Sequence, residues 1–398
     1  MINQYAYELG ANGSVIRDLA AYGAARAKIV GSDNVYDFTI GNPSTPPPAE
    51  IASTVKSILE EMDPMAIHSY TAAPGAYETR QAIADDLNAR FSAGARPEEL
   101  FIGCGSSPEL VAVFKALSFP GAEYVVIAPY FPEYAPYVKE VGGKLKVVPA
   151  DIPGFQIDFA ALEATLSDRT AAIILNSPNN PAGTVYTRQT VEALAALLTE
   201  KSKEIGRPIY IVSDEPYREL AYGVEVPFVP NFYPNTVVCY SYSKSLSLPG
   251  ERIGYVYVPG QAADSKALYA AVCGAARVYG HICAPSLWQT VIARCAGVKP
   301  QLAEYDKNRL ALYNGLTALG YEAARPDGAF YLFVKAPGGD ANAFLELAKK
   351  KDLLLVPGDS FGCPGYFRLC YCVPYEKILR SLPIFATLIR EAPVKVYR

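Results

Sequence analysis

Seven short apolar runs between residues 100 and 258 limit what this chain can fold into more than any other feature. They are LFIGC (100–104), YVVIA (124–128), LKVVP (145–149), AAIILN (171–176), IYIVSDE (209–215), TVVCYS (236–241) and IGYVYV (253–258). Patterns with helical period lie between several of them, at 75–93, 105–118 and 188–204. A strand that is apolar on both faces has to be covered on both, and helical crossovers between parallel strands provide that cover. The expectation is an α/β fold built on a large, mostly parallel sheet covered by helices.

From about residue 286 the pattern changes. A long helical stretch runs to about 319, and short strands then mix with helices. The strands are FYLFVK (330–335), LLLVP (353–357) and YFRLCYCV (366–373), with helices near 341–350 and 375–391. This reads as a smaller α+β domain. Residues 45–285 are assigned to the large domain, and 1–44 together with 286–398 to the small one. The proline-rich stretch GNPSTPPPAE (41–50) is a loop leading into a helix near 49–61.

Several functional classes are excluded early. The formal net charge is −4 and no long Lys/Arg block occurs, so a nucleic-acid partner is not expected. Apolar runs are short and interrupted, so no membrane span is expected. The opening MINQYAYELG lacks a basic region followed by an apolar core, and a cytoplasmic location follows as the expectation. The eight cysteines are scattered, and most lie in apolar contexts that suit buried free thiols. Cys370 and Cys372 have no second pair and no nearby histidine, so no metal site is expected. The two histidines, His68 and His281, lie in no catalytic signature.

In open α/β sheets, ligands bind at the carboxyl ends of strands, so the polar residues just after each strand carry the information. In IGCGSSPEL (102–110), Gly103 and Gly105 come near a dinucleotide fingerprint. Pro108 stands where a small residue is needed, and Glu123 precedes its strand instead of following it. What remains is a Gly-Ser-Ser turn opening a helix, whose free N–H groups suit a phosphate, although taken alone an ordinary capped helix is the better explanation. NSPNNPAG (176–183) is a rigid extended loop that can aim an amide. In SDEPYREL (213–220), Asp214 and Glu215 end a strand, where acids commonly cap the next helix and can also hold a protonated ring nitrogen. In SYSKSLSLPGERIGYVYV (241–258), Lys244 follows a buried strand. Desolvation there lowers an amine's pKa and makes it nucleophilic toward a carbonyl. Amine, phosphate donors, carboxylate and aromatic cover together match a ring bearing an aldehyde, a phosphate and a basic nitrogen.

These motifs, with YTAAPGAYETRQAIADDL (70–87), PDGAFYLF (326–333) and FRLCYCVP (367–374), resemble the class I/II aminotransferases, which use pyridoxal 5′-phosphate (PLP) on the type I transferase fold. The likeness runs from about residue 36 to the C-terminus. It implies that Lys244 bonds the cofactor's aldehyde carbon and then shuttles a proton, and that Asp214 pairs with the ring nitrogen. It implies ring-hydroxyl contacts from Asn180 and Tyr217, and stacking by Phe131 in preference to Tyr130. Phosphate contacts are implied for Arg252, Ser241, Ser243 and the N–H groups of Gly105, Ser106 and Ser107. Arg368 is implied to take the substrate α-carboxylate beside Gly41 and Asn180. Tyr70 is implied to reach the phosphate from the second subunit of a homodimer.

The implied activity is ping-pong transfer of an amino group between an α-amino acid and a 2-oxo acid. β-C–S lysis, decarboxylation and racemisation are the alternatives on the same fold, and a DNA-binding regulator built on it is disfavoured by the charge. Ala182 replaces the family's common threonine, and Phe131 its common Trp or Tyr. No arginine for a substrate side-chain carboxylate is recognisable; Arg277 is a candidate without a motif.

Overall fold

The computed structural model describes residues 2–392. Residue 1 and residues 393–398, the two ends of the expected small domain, lie outside the described residues. A two-residue strand, β1 (Tyr36–Asp37), precedes a seven-stranded sheet. Its strands are β2 (Leu100–Gly103), β3 (Glu123–Ile127), β4 (Lys144–Val148), β5 (Thr170–Asn176), β6 (Tyr210–Asp214), β7 (Thr236–Ser241) and β8 (Gly254–Tyr257). Their order is β2-β8-β7-β6-β5-β3-β4. Strands β3 to β7 are parallel to one another, and β8 runs antiparallel to both β7 and β2. The sheet is therefore mostly parallel, as expected, with one reversed strand that the apolar pattern does not announce.

Period-2 alternation sends neighbouring residues to opposite faces. Ile174 and Val212 pack with Leu110, Phe114 and Val272 of the helices Ser106–Leu117 and Ser265–Val278. Ile173 and Ile211 pack on the other face with Leu194 and Leu198 of the helix Arg188–Ile205. The β2–β8–β7 edge is covered by Ile58, Ile83 and Ile292 from the helices Ala49–Glu61, Tyr77–Phe91 and Ser286–Cys295. Every residue of β5 and β6 is buried, which is why these runs read as continuously apolar.

A second sheet has the order β11-β12-β9, with β9 (Tyr331–Lys335), β11 (Val356–Pro357) and β12 (Tyr366–Cys370); β10 (Leu353–Leu354) pairs with β1. A separate core gathers Phe38, Leu312, Phe344, Phe367 and Phe385 around it. Two readings are corrected here. LLLVP is not one strand: Leu353–Leu354 and Val356–Pro357 join different sheets. The stretch 286–319 is not one helix. It divides into Ser286–Cys295 and Ala303–Ala318, because Pro300 cannot continue a helix and restricts Lys299 before it. The N-terminal helices Gln4–Ala11 and Val15–Val30 were not anticipated.

Strands β2, β5, β6 and β7 end at one edge of the large sheet, at Gly103, Asn176, Asp214 and Ser241. Because β8 is reversed, its first residue, Gly254, sits opposite both Gly103 and Ser241. That edge is the candidate site.

Candidate active site

An anion cup forms where β2, β7 and β8 meet. Gly105 has φ of +90°, and a Cβ there would lie 2.8 Å from Arg252 Nη2, so only glycine lets the guanidinium rest against this turn. The turn opens the helix Ser106–Leu117, whose first N–H groups have no partner within the helix and carry its positive dipole end. Ser241 Oγ accepts from the Ser243 N–H at 3.2 Å and lies 2.8 Å from Ser243 Oγ. Arg252 Nη1 donates to Ser243 Oγ at 3.4 Å and to the Pro249 carbonyl at 3.0 Å. Hydroxyls, a guanidinium and free N–H groups therefore converge on one place, as a phosphate requires.

Lys244 projects from the short helix Tyr242–Ser245 and donates through Nζ to the Gly41 carbonyl at 2.8 Å. Burial pushes its pKa down; the thiols of Cys372 and Cys370 oppose that shift, and Arg252 and Arg368 reinforce it. Asp214, at the end of β6, is 4% exposed. Burial raises its carboxyl to about 7, with Glu215 pushing the same way and the hydroxyls of Tyr134 and Ser106 opposing. Tyr134 Oη donates to Asp214 Oδ2 at 2.6 Å, while Oδ1 has no partner. A buried carboxylate oxygen left open in this way calls for an N–H donor, which a protonated ring nitrogen supplies. Neighbouring Glu215 is not open, being locked to Arg218 and Ser213.

Arg368 enters from β12 and is 2% exposed. Nη1 donates to Asn180 Oδ1 at 2.9 Å and Nη2 to the Thr39 carbonyl, whereas Nε is unpartnered. The guanidinium lies over the rings of Tyr331 and Phe361, at 4.6 and 5.0 Å. Tyr217 and Tyr331 share a hydroxyl contact of 2.9 Å. Asn176 Oδ1 accepts from the Asn180 N–H at 2.8 Å, and its Nδ2 donates to the Asp214 carbonyl at 2.9 Å, fixing the rigid loop to β6. Phe131 meets Tyr134 edge to face, with centroids 5.6 Å apart.

These groups surround a cavity of about 280 Å³. Its walls include Gly41, Ser106, Ser107, Phe131, Asn180, Asp214, Tyr217, Ser241, Ser243, Lys244, Arg252 and Arg368; Gly105 shapes the cup from behind. Two residues named from the sequence are not brought there within this chain. Tyr70 is 84% exposed, and Arg277 lies exposed in the last turn of the helix Ser265–Val278; neither lines the cavity. Sequence reasoning missed Ile16, Asn176 and Tyr331 on the walls and Tyr134 behind Asp214. Tyr134 stands three positions after Phe131, a spacing that puts it within reach of the same pocket. Nothing in the helical pattern of 15–30 marks Ile16.

Comparison with known proteins agrees with this geometry. The family model described as aminotransferase class I and II matches residues 33–382. The chain is 30% identical over 367 residues to the aspartate/prephenate aminotransferase of Thermus thermophilus, covering 89% of this chain and 91% of that protein. It is 29% identical over 366 residues to the aspartate aminotransferase of Thermotoga maritima, covering 90% and 92%. A crystal structure of an amino transferase from Eubacterium rectale superimposes with a TM-score of 0.97 at 51% identity, covering 98% and 99% of the two chains.

Proposed function

The chain belongs to the class I and II aminotransferase family, and from that premise we propose which of its residues carry the transfer of an amino group and how. The family depends on pyridoxal 5′-phosphate, and the residues around the cavity fit that group: an open carboxylate oxygen on Asp214, a glycine-backed anion cup, and a buried amine between them. When bound, the cofactor supplies an aldehyde that captures amines and a ring that draws electrons from the substrate's α-carbon.

Arg252, Ser241, Ser243 and the N–H groups of Gly105, Ser106 and Ser107 bind the phosphate. Asp214 would hold the proton on the ring nitrogen, Asn180 and Tyr217 would hydrogen-bond the ring hydroxyl, and Phe131 would cover the ring face. Lys244, whose pKa burial lowers, would be the amine that holds the cofactor's aldehyde carbon and, when free of it, would move the proton of the substrate's α-carbon. Arg368 binds the α-carboxylate as a fork, beside Gly41 and Asn180. Amino acid and 2-oxo acid use the same pocket in turn, so the cycle is ping-pong.

A homodimer completes the site, with the partner's Tyr70 reaching the phosphate; the 84% exposure of Tyr70 in the single chain supports this. Division into a large domain, 45–285, and a small one, 1–44 with 286–398, is proposed; the separate core around Phe344 and Phe385 supports it, while the helix Ser286–Cys295 packs on the large sheet. Among the described residues no helix is long and apolar enough to cross a membrane, and a cytoplasmic location is proposed with it.

The observation that carries this reading is Lys244, a buried amine across one cavity from an unpartnered Asp214 oxygen. Purified protein should show the visible absorption of bound PLP, and Lys244→Ala should change that band and abolish transfer from amino acid to 2-oxoglutarate. Protein that takes up no PLP sinks the residue assignments.

A further inference from the structure

Lys244 faces the active-site cavity, but its helix neighbours Tyr242 and Ser245 line a second cavity of about 340 Å³. Its other walls come from β7 and β8 (Tyr240 and Tyr255), from the helix Tyr77–Phe91 (Asp86 and Arg90), and from segment 296–302. That segment joins the helices Ser286–Cys295 and Ala303–Ala318, the place where the helical stretch breaks.

Three tyrosine rings make one wall. Tyr240 and Tyr255 stack with centroids 4.9 Å apart, and Tyr242 stands edge-on to Tyr240 at 5.1 Å. Tyr240 Oη donates to Ser245 Oγ at 2.9 Å. Tyr242 and Tyr255 line this cavity at 5% and 4% exposure, and neither hydroxyl makes a hydrogen bond to another described residue. Burial holds both pKa values well above the ordinary one, so both remain O–H donors.

The charged groups are matched unevenly. Arg90 is occupied by both Glu219 oxygens, at 2.8 and 2.7 Å, and by Asp86 Oδ2 at 3.1 Å. Asp86 Oδ1 is left over and faces Gly297, where a Cβ would lie 3.8 Å from it. Lys299 is exposed at the same segment and makes no ion pair among the described residues. The cavity thus offers one free carboxylate oxygen, one free ammonium, two free hydroxyl donors and an aromatic wall. A simple anion would leave Asp86 unmatched, and a simple cation would leave Lys299 unmatched.

We propose that this cavity is a second binding site, for a free zwitterionic amino acid. Its ammonium pairs with Asp86, its carboxylate takes Lys299 and the hydroxyls of Tyr242 and Tyr255, and its side chain lies against the tyrosine rings. An occupant touches Ser245, the residue after Lys244, so the site reports amino-acid supply directly to the catalytic turn.

Two zwitterions without an α-hydrogen, 1-aminocyclopentane-1-carboxylate and α-methylphenylalanine, serve as probes because neither can be transaminated. Calorimetry on the PLP-loaded protein counts all sites, while the cofactor's visible absorption follows active-site occupancy alone. The expected result is two sites per chain for at least one probe. Lys299→Ala and Tyr255→Phe, which keep a folded wall, should each weaken the second site about tenfold, the scale of one charged hydrogen bond, and leave the absorbance titration in place. A single calorimetric site, two sites insensitive to both variants, or equal shifts in both signals would overturn the proposal.

Discussion

Arg368 and Asn180, 188 positions apart, are joined by a 2.9 Å hydrogen bond from Nη1 to the amide oxygen. Nη2 is held at the Thr39 carbonyl, and Nε stays open. The guanidinium is thus oriented before any substrate arrives. Arg368→Lys keeps the charge and loses the fork, so KM for the amino donor should rise by about ten- to a hundredfold, with a smaller change in kcat. Steady-state kinetics with one donor and one acceptor decide it; an unchanged KM removes Arg368 from carboxylate binding.

Gly41 packs tightly against the Tyr331 hydroxyl. A Cβ there would fall 2.0 Å from Tyr331 Oη and 2.8 Å from its Cζ. Gly41→Ala should therefore displace the carbonyl that receives Lys244 Nζ, costing about 1–3 kcal/mol of stability, as overpacking does, and lowering turnover. Adding Tyr331→Phe removes the nearest atom and should restore part of both. If the double variant is no better than the single one, the clash is not the cause.

Glu109 is fully buried beneath the cup, against Gly103, with Oε2 unpartnered. Burial raises its carboxyl from 4.5 to about 8. A group whose folded pKa is raised contributes stability that is fully present below its unfolded pKa and is lost as pH rises through the folded one. Cofactor-free protein should lose stability between pH 4.5 and 8, and Asp214, raised to about 7, adds to the same trend. Glu109→Gln, neutral throughout, should flatten the curve in denaturant titrations at several pH values. Parallel curves for the two proteins would show Glu109 ionised at neutral pH.

Asp214 and Tyr134 separate charge from support. Asp214→Asn cannot balance a protonated ring, so turnover should fall by about a hundredfold or more. The cofactor-free variant should be no less stable, because a buried acid has been removed. Tyr134→Phe deletes the donor to Oδ2; Asp214 should then titrate higher and carry the acid limb of the pH–turnover profile upward. A profile that stays in place would mean that Tyr134 only packs.

The large sheet was legible because every strand after β2 is apolar on one or both faces, and the period changes sharply at each helix. The site was legible where chemistry shapes local sequence: an isolated lysine after a strand, two serines beside it, and prolines that stiffen a loop. Three things were not legible. Reversal of β8 leaves no trace in a run as apolar as its parallel neighbours. Tyr134 supports Asp214 from a helix whose pattern reads as ordinary packing. Ile16 reaches the cavity from an N-terminal helix with no feature at that position to distinguish wall from surface. Each depends on tertiary placement, which spacing along the chain does not encode.

Reversal of β8 has a consequence for how the protein is made. Strand β2 lies at the sheet edge, and among the described residues its only neighbour is β8, so Gly103 meets Gly254 across most of the large sheet's sequence. Contacts between such distant segments pay a large loop-closure entropy and form late. During synthesis, the Gly105 turn has no Arg252 to rest against until β8 has emerged. The anion cup between the Gly105 turn and Arg252 is therefore complete only once the sheet has closed this last edge.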